Sequence, residues 1–216
     1  MPFFNDLPDP RRYNSLRLLG YDYSSPFKLV AFSLTTDQRR PVFADMRRAK
    51  ATLTSLLSDQ TLSLMKLRAF CLMPDHLHLL AGVKNPEVEL PTLIGRFESY
   101  TTQLYWKRSR EIVESREIAL PSQEVERSTV SENRELIDAL VDWRASLRPE
   151  VVQLKNWPNV KPEHFLRKKL WQKRGFDHVI RNDDDLENNL DYIIMNPVKA
   201  EYVSNPHFYP FTGVLY

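Results

Sequence analysis

The stretch LMKLRAFCLMPDHLHLLAGV, residues 64–83, decides the fold. It contains two short apolar runs, 64–73 and 76–83, and only Pro74 and Asp75 separate them. Short apolar runs bounded by turn-forming residues are typical of strands, and proline followed by aspartate favours a tight turn. The stretch therefore predicts a β-hairpin.

Further elements lie on either side of this hairpin. Residues 44–58 and 90–108 repeat apolar side chains at helical spacing, and 27–35, FKLVAFSLT, is a strand-like run. Nearer the C-terminus, FDHVIR at 176–181 predicts one more strand. Strand, helix, strand, strand, helix, strand is the order of the ferredoxin-like βαββαβ unit. The sequence thus predicts an α+β fold built on an antiparallel sheet.

A C-terminal helix is predicted after this last strand, and Pro197 is expected to stop it because proline interrupts helical hydrogen bonding. Asp183, Asp184 and Asp185 stand at its start. Three carboxylates could hold a metal ion. Acidic residues also stabilise the first turn of a helix, and this simpler interpretation is preferred.

Residues 27–216 are predicted to form a single domain, which follows a polar, proline-rich N-terminal arm at 1–26. A partly helical insertion at about 111–160 is expected to interrupt the domain. The formal net charge is only +2, but residues 111–150 sum to −5 and the rest of the chain is correspondingly basic. The basic remainder of the chain is therefore compatible with an anionic partner, which the small net charge does not indicate.

Composition excludes several function classes. The five glycines are scattered, which excludes a P-loop and a Rossmann fingerprint and predicts no nucleotide cofactor. The single Cys71 excludes an intramolecular disulfide and a cysteine-based zinc site, and it favours a reducing compartment. There is no apolar run long enough for a membrane span and no secretory signal at the N-terminus. We expect a cytoplasmic protein without a membrane partner.

His76 and His78 lie two positions apart in the second predicted strand. Side chains at this spacing point to the same face of a strand, so both imidazoles can converge on one metal ion while Leu77 packs behind them. The alternative is an ordinary pair of surface or core histidines on a hairpin.

Tyr192 and Asn196 lie four positions apart in the predicted C-terminal helix, and therefore on one helical face. A tyrosine can act as a covalent nucleophile, and an asparagine oxygen can bind a hard divalent cation. The alternative is a half-buried tyrosine and an Asn-Pro helix stop. A strand with two histidines and a helix with this pair together supply the parts that activate a phosphodiester.

At this point three segments resemble one family. CLMPDHLHLL, residues 71–80, resembles the HUH motif of single-tyrosine transposases, which is histidine, a bulky apolar residue and histidine. LWQKRGFDHVIRNDDDLENNLDYIIMNPVKAEYV, residues 170–203, resembles the C-terminal block of REP-associated tyrosine transposases, an IS200-like group. TTDQRRPVFAD, residues 35–45, is similar to the segment after that family's first strand.

The resemblance implies an activity and assigns its residues. His76 and His78 would bind a divalent metal, Mg²⁺ or Mn²⁺, with Asn196 as the third ligand. Tyr192 would attack a phosphodiester of single-stranded DNA, forming a 5′-phosphotyrosyl link and releasing a 3′-hydroxyl. The implied substrates are palindromic repeats folded as hairpins. Such strand transfer conserves phosphodiester energy, which agrees with the absence of an ATP-binding motif.

Two further residues flank the last predicted strand. His178 and Arg181 could contact phosphate or assist proton transfer, or they could be ordinary solvated residues. Asp75 could orient the neighbouring imidazole or simply form the turn, and the turn is preferred.

Contacts to the DNA backbone are expected from basic residues that can neutralise phosphates, with one aromatic residue among them as either a stacking platform or a core residue. The cations are Arg11, Arg12, Lys168, Lys169, Lys173 and Arg174, and the aromatic residue is Trp171.

Two alternatives to a transposase stay open. The first is a non-catalytic module that binds nucleic-acid hairpins, since βαββαβ sheets also occur in RNA-recognition domains. The second is a domesticated regulator with the same fold. A monomer is predicted because no long apolar surface run indicates an obligate dimer, although dimers that exchange the tyrosine helix occur in the wider transposase class.

Overall fold

The computed structural model describes residues 20–114, 154–161, 164, 169–173 and 175–215. These residues contain one antiparallel sheet with helices packed on both of its faces.

The sheet has five strands, in the spatial order β4-β1-β3-β2-β5. The first four in chain order reproduce the ferredoxin-like arrangement, so the predicted α+β fold class is confirmed. Their bounds along the chain are β1 Val30–Thr35, β2 Met65–Leu72, β3 His76–Val83, β4 Phe176–Val179 and β5 Thr212–Val214.

Two strands begin or end two or more residues from the predicted position, and one strand was not predicted. β1 starts three residues after Phe27, whose side chain is 93% exposed. β4 ends two residues before Arg181, where the chain turns to enter the next helix. β5 pairs with β2 at residues 69–71. A three-residue edge strand has too little periodicity to be recognised, because its partner and not its own pattern defines it.

Four α-helices accompany the sheet among the described residues: α1 Met46–Leu56, α2 Asp59–Leu64, α3 Leu90–Glu114 and α4 Asp183–Lys199. The helix predicted over 44–58 is observed as α1, whereas the separate helix α2, which Ser58 caps by accepting the Thr61 N–H, was not predicted. α3 continues to Glu114 and so enters the segment predicted as an insertion. None of these helices is long and apolar enough to cross a membrane.

α4 begins as predicted but does not end at Pro197. Asn182 caps its N-terminus by accepting the Asp185 N–H at 2.8 Å, with the three aspartates in the first turn. The helix runs through Pro197 to Lys199, since the next turn is restored when the Ala200 N–H donates to the Asn196 carbonyl at 2.9 Å. The buried proline therefore removes one hydrogen bond without ending the helix.

The two faces of the sheet carry different layers. Met65 pairs with Val83 on the face opposite to His78, and it lines a groove between α1 and α3 together with Phe97. α4 covers the other face, where the Tyr192 ring lies 5.2 Å from the His78 ring. Because both faces are covered, β3 is buried along nearly its whole length. The sheet thus separates an apolar layer from the layer that contains the histidines.

Candidate active site

β3 presents His76 and His78 on the same face, as their spacing predicts. Their ring centroids are 4.7 Å apart, with the ring planes nearly perpendicular. His76 is partly exposed, whereas His78 is only 5% exposed. The pair therefore stands at the boundary between solvent and the protein interior.

His78 is held by a neighbour across the sheet. Ser33 on β1 is its register partner, and the Ser33 hydroxyl lies 2.7 Å from His78 Nδ1. Burial first, and then the charge of His76, lower the pKa of His78 to about 3, while the nearby Asn196 side chain acts in the opposite direction. The ring is thus neutral at neutral pH. A neutral ring that donates from Nδ1 to Ser33 carries a lone pair on Nε2.

His78 Nε2 is buried and has no described residue in good hydrogen-bonding geometry, although the Asn196 side chain is close enough to favour the protonated ring by a weak hydrogen bond. A buried polar atom without a partner is costly and uncommon in native proteins. Asn196 influences the pKa of His78 and therefore lies close to this ring. The orphaned nitrogen marks a position where a group from outside the chain can bind.

His76 is oriented by Asp75, whose Oδ1 lies 2.5 Å from His76 Nδ1. Burial favours the neutral form of Asp75, but the hydrogen bond and charge of His76, together with Arg39, hold the pKa of this carboxyl below its usual value. The expectation that Asp75 only forms the turn is therefore incomplete. An ionised carboxylate on Nδ1 fixes the ring and leaves Nε2 for another partner.

α4 brings the second pair to the histidines. Tyr192 contacts the His78 ring edge-on, and the Asn196 amide nitrogen donates to the Tyr192 carbonyl at 2.7 Å. Since the nitrogen of this amide is committed, its oxygen is the atom left for a cation. The ammonium of Lys199 lies 4.9 Å from the centroid of the Tyr192 ring. The strand pair and the helix pair therefore form one cluster.

The donor atoms of this cluster fit a divalent cation. No three His, Cys, Asp or Glu side chains gather as a metal site within the described residues. The Asn196 amide oxygen is the further donor that this cluster offers beside the two imidazoles. Two imidazole nitrogens and one amide oxygen suit Mn²⁺, and Mg²⁺ when substrate oxygens complete the shell. The orphaned nitrogen of His78 is the observation that supports this fit.

His178 lies on β4 opposite Ala31, away from the histidine pair. Its Nε2 is 2.8 Å and 3.0 Å from the two carboxylate oxygens of Asp185, and the Arg181 N–H donates to the same carboxylate. The Asp185 carboxylate therefore ties β4 to the start of α4. The Arg181 side chain is exposed.

The residues predicted to contact DNA are in part described. Lys169 and Lys173 are exposed, and Arg11, Arg12, Lys168 and Arg174 lie outside the described residues. Trp171 is 4% exposed, and its Nε1 donates to the Thr101 hydroxyl at 2.8 Å. Of the two interpretations given for Trp171, the core residue is correct and the stacking platform is wrong, because its ring packs against Phe43.

Three residues of this region were not predicted. Ser33 is an unremarkable serine in a strand, and only the register of β1 against β3 reveals its role. Lys199 follows Tyr192 by two helical turns, so helical spacing was a signal that could have found it. Arg39 lies in the segment whose family resemblance was noted, but that resemblance assigned it no role.

Comparisons with known proteins agree with these features. The family described as "Transposase IS200 like" matches residues 29–124. A putative REP-associated tyrosine transposase of Haemophilus influenzae is 48% identical over 44 residues, and the REP-associated tyrosine transposase of Escherichia coli is 42% identical over 45. These matches cover 20% and 21% of this chain, but only 25% and 27% of the two relatives.

Among solved structures, a REP-associated tyrosine transposase bound to a REP hairpin is similar to this chain. Its TM-score is 0.41 at 16% identity, with 87% of this chain and 77% of the other covered. The resemblance predicted from the sequence is confirmed by the family and relative matches: residues 29–124 match the IS200-like transposase family, and the chain is similar to REP-associated tyrosine transposases.

Proposed function

We propose that this chain is a metal-dependent endonuclease and strand transferase for single-stranded DNA, acting on palindromic-repeat hairpins in the bacterial cytoplasm. The observation that carries the proposal is the meeting of His76, His78, Tyr192 and Asn196 around one orphaned buried nitrogen. The two histidines lie on a strand and the other two residues on a helix, more than a hundred residues later in the sequence. The hairpin substrate rests on the sequence resemblance.

His76, His78 and Asn196 would hold the divalent cation, Mg²⁺ or Mn²⁺. When bound, such a cation withdraws electron density from the scissile phosphate and stabilises the charge that develops during displacement. Asp75 and Ser33 prepare this position by occupying Nδ1 of each ring. A ring whose Nδ1 is hydrogen-bonded in this way presents its Nε2 to a ligand in a fixed orientation.

Tyr192 supplies the nucleophile. Its phenolic oxygen forms a bond to phosphorus while the bond between phosphorus and the 3′-oxygen breaks. The phenol gives up its proton and the departing 3′-oxygen gains one, so the products are a 5′-phosphotyrosine and a 3′-hydroxyl. A 3′-hydroxyl that attacks the phosphotyrosine reverses the reaction and joins strands.

The four residues of the site belong to one chain. Tyr192 contacts His78 on the β3 of its own chain. This arrangement supports the proposal of a monomer with a complete site.

The path of the DNA beyond the site is proposed from exposed polar residues. Lys169 and Lys173 are exposed on the segment that leads into β4 and can neutralise phosphates. His178 and Arg181, beside Asp185, are the proposed accessory contacts.

A labelled repeat hairpin with single-stranded flanks tests the proposal. Incubated with Mn²⁺ or Mg²⁺, the wild-type protein is expected to form a covalent protein–DNA band, which EDTA prevents. Tyr192→Phe is expected to bind the hairpin and form no band, since it lacks only the attacking oxygen. Tyr100→Phe is the matched control, because Tyr100 is an exposed tyrosine on α3.

Cleavage by Tyr192→Phe would show that another group is the nucleophile. Binding of the hairpin by the wild type without any nicking, in either metal, would instead favour the non-catalytic module. A nicking-competent protein that moves no DNA in cells would correspond to the domesticated regulator.

A further inference from the structure

The site lies in the middle of a continuous run of contacts with a cation at each end. Arg39 lies 3.4 Å from the Asp75 carboxylate at one end, and Lys199 lies over the Tyr192 ring at the other. Between these ends, each side chain contacts the next. The run is Arg39, Asp75, His76, His78, Tyr192 and Lys199.

Arg39 is presented by a strained turn. Gln38 and Arg39 have φ of 60° and 50°, the left-handed region that residues with a Cβ rarely adopt. Two such residues in succession persist only where the surrounding structure determines them, and such strain concentrates at functional positions.

Arg40, the next residue, fixes this turn from inside. It is buried, and its guanidinium donates to the carbonyl oxygens of Asp37, His164 and Lys169. The Thr36 hydroxyl adds a bond to the Asp75 carbonyl. The backbone of Arg39 is therefore held next to the histidines, whereas its own side chain points outward.

The contact between Arg39 and Asp75 does not explain why the chain holds a strained turn at Arg39. The Arg39 side chain is 70% exposed, and an exposed ion pair at 3.4 Å contributes little to stability. The small contribution of such an ion pair does not offset the cost of a strained turn that a buried arginine holds in place. An exposed guanidinium beside a metal-binding cluster is, by contrast, well suited to a phosphate.

Lys199 is a second exposed cation, and it lies beside Tyr192 as Arg39 lies beside Asp75. It is exposed in the last turn of α4, and its ammonium faces the Tyr192 ring. A phosphate bonded to this tyrosine, or adjacent to one that is, comes within reach of the ammonium.

We propose that Arg39 and Lys199 form a cation clamp that holds the phosphates on either side of the scissile one. This inference rests on the proposed function, because it takes single-stranded DNA as the ligand of the same site. It adds two substrate-contacting residues and a path for the strand, between Arg39 and Lys199 across the histidines and Tyr192.

The clamp can be tested by binding alone, without metal or cleavage. The probe is a fluorescent oligodeoxythymidylate of about 12 nucleotides, long enough for one single-strand site. Affinity is measured in EDTA over a series of salt concentrations. For single strands, the slope of log K against log salt is about −0.7 for each phosphate contact.

Arg39→Gln and Lys199→Gln are each expected to make this slope shallower by about 0.7, and to weaken binding about tenfold. Arg39→Lys and Lys199→Arg should keep the wild-type slope, because they keep the charge. Arg47→Gln is the matched control, since Arg47 is an exposed arginine on α1 that lines the groove on the opposite face of the sheet. It is expected to leave the slope unchanged.

Equal slopes for Arg39→Gln, Lys199→Gln and Arg47→Gln would overturn the clamp, and a tyrosine-dependent covalent band would still support strand transfer. Shallower slopes without any covalent band would support the clamp and overturn strand transfer. A wild-type protein that does not bind the oligonucleotide would overturn the clamp, and the hairpin assay alone would then decide strand transfer.

Discussion

The two faces of β3 differ although the same eight residues build them. On one face, Leu77, Leu79 and Ala81 are fully buried in the apolar core, in the layer with α1 and α3. On the other, His76 and His78 meet the polar groups of neighbouring elements and of α4. Alternation along one strand thus places apolar core residues on one face and the candidate site on the other.

The difference between the two faces predicts that loss of stability and loss of function can be separated by substitution. Substitutions on the apolar face should unfold the protein without changing what its folded fraction can do. Substitutions on the histidine face should remove function from a protein that stays folded.

The largest expected effect on stability comes from Leu79→Ala. Leu79 is completely buried, so the truncation leaves a cavity and should lower the free energy of unfolding by about 3 kcal/mol. Urea unfolding measures this loss, and calorimetric titration with Mn²⁺ measures what the remaining folded protein binds. A folded Leu79→Ala protein with strongly weakened Mn²⁺ binding would contradict the separation of the two faces.

The double variant Ser33→Ala, His78→Leu tests the opposite face. It should weaken Mn²⁺ binding more than about 100-fold, because loss of a ligand exceeds the effect of losing its hydrogen-bond partner. It should also raise the free energy of unfolding by about 1 kcal/mol, since it removes a buried orphaned nitrogen together with the hydroxyl that bonds the same ring. A double variant less stable than the wild type would show that the ring stabilises the free protein.

A smaller effect is expected from Asp75→Asn, which keeps the shape of the side chain and removes its charge. The amide holds His76 less firmly, so Mn²⁺ affinity should fall about 10- to 100-fold while the thermal midpoint changes little. Glu187→Gln, an exposed carboxylate on α4, is the matched control for charge. Equal affinities for the two variants would exclude an orienting role for Asp75.

The sequence alone predicts those features of the two faces that follow from residue spacing along a strand or a helix. The spacing of His76 and His78 placed them on one strand face, and that of Tyr192 and Asn196 placed them on one helix face. The hairpin between residues 64 and 83 followed from two apolar runs and a turn. That the two pairs meet is a tertiary fact, and only the family resemblance indicated it.

What could not be predicted depends on residues distant in sequence. Ser33 is defined by its pairing with His78, and the burial of Trp171 by its packing against Phe43 and its bond to Thr101. Pro197 shows the limit of a local rule, since α4 tolerates it by continuing its hydrogen bonds one turn later. Local propensity therefore described elements well and their partners poorly.

The smallest expected effect belongs to the apolar layer and concerns pH. Burial raises the pKa of Glu98, on α3, to about 7 from an ordinary value of 4.5. The folded state therefore binds this proton more tightly, and the stability that the neutral form contributes below pH 4.5 is lost as pH rises through 7.

Glu98→Gln keeps a neutral side chain at every pH. Between pH 5 and 8, urea unfolding should show the wild type losing about 1–2 kcal/mol relative to Glu98→Gln. Parallel curves for the two proteins would mean that Glu98 reaches solvent, and that this layer is less closed than its leucines indicate.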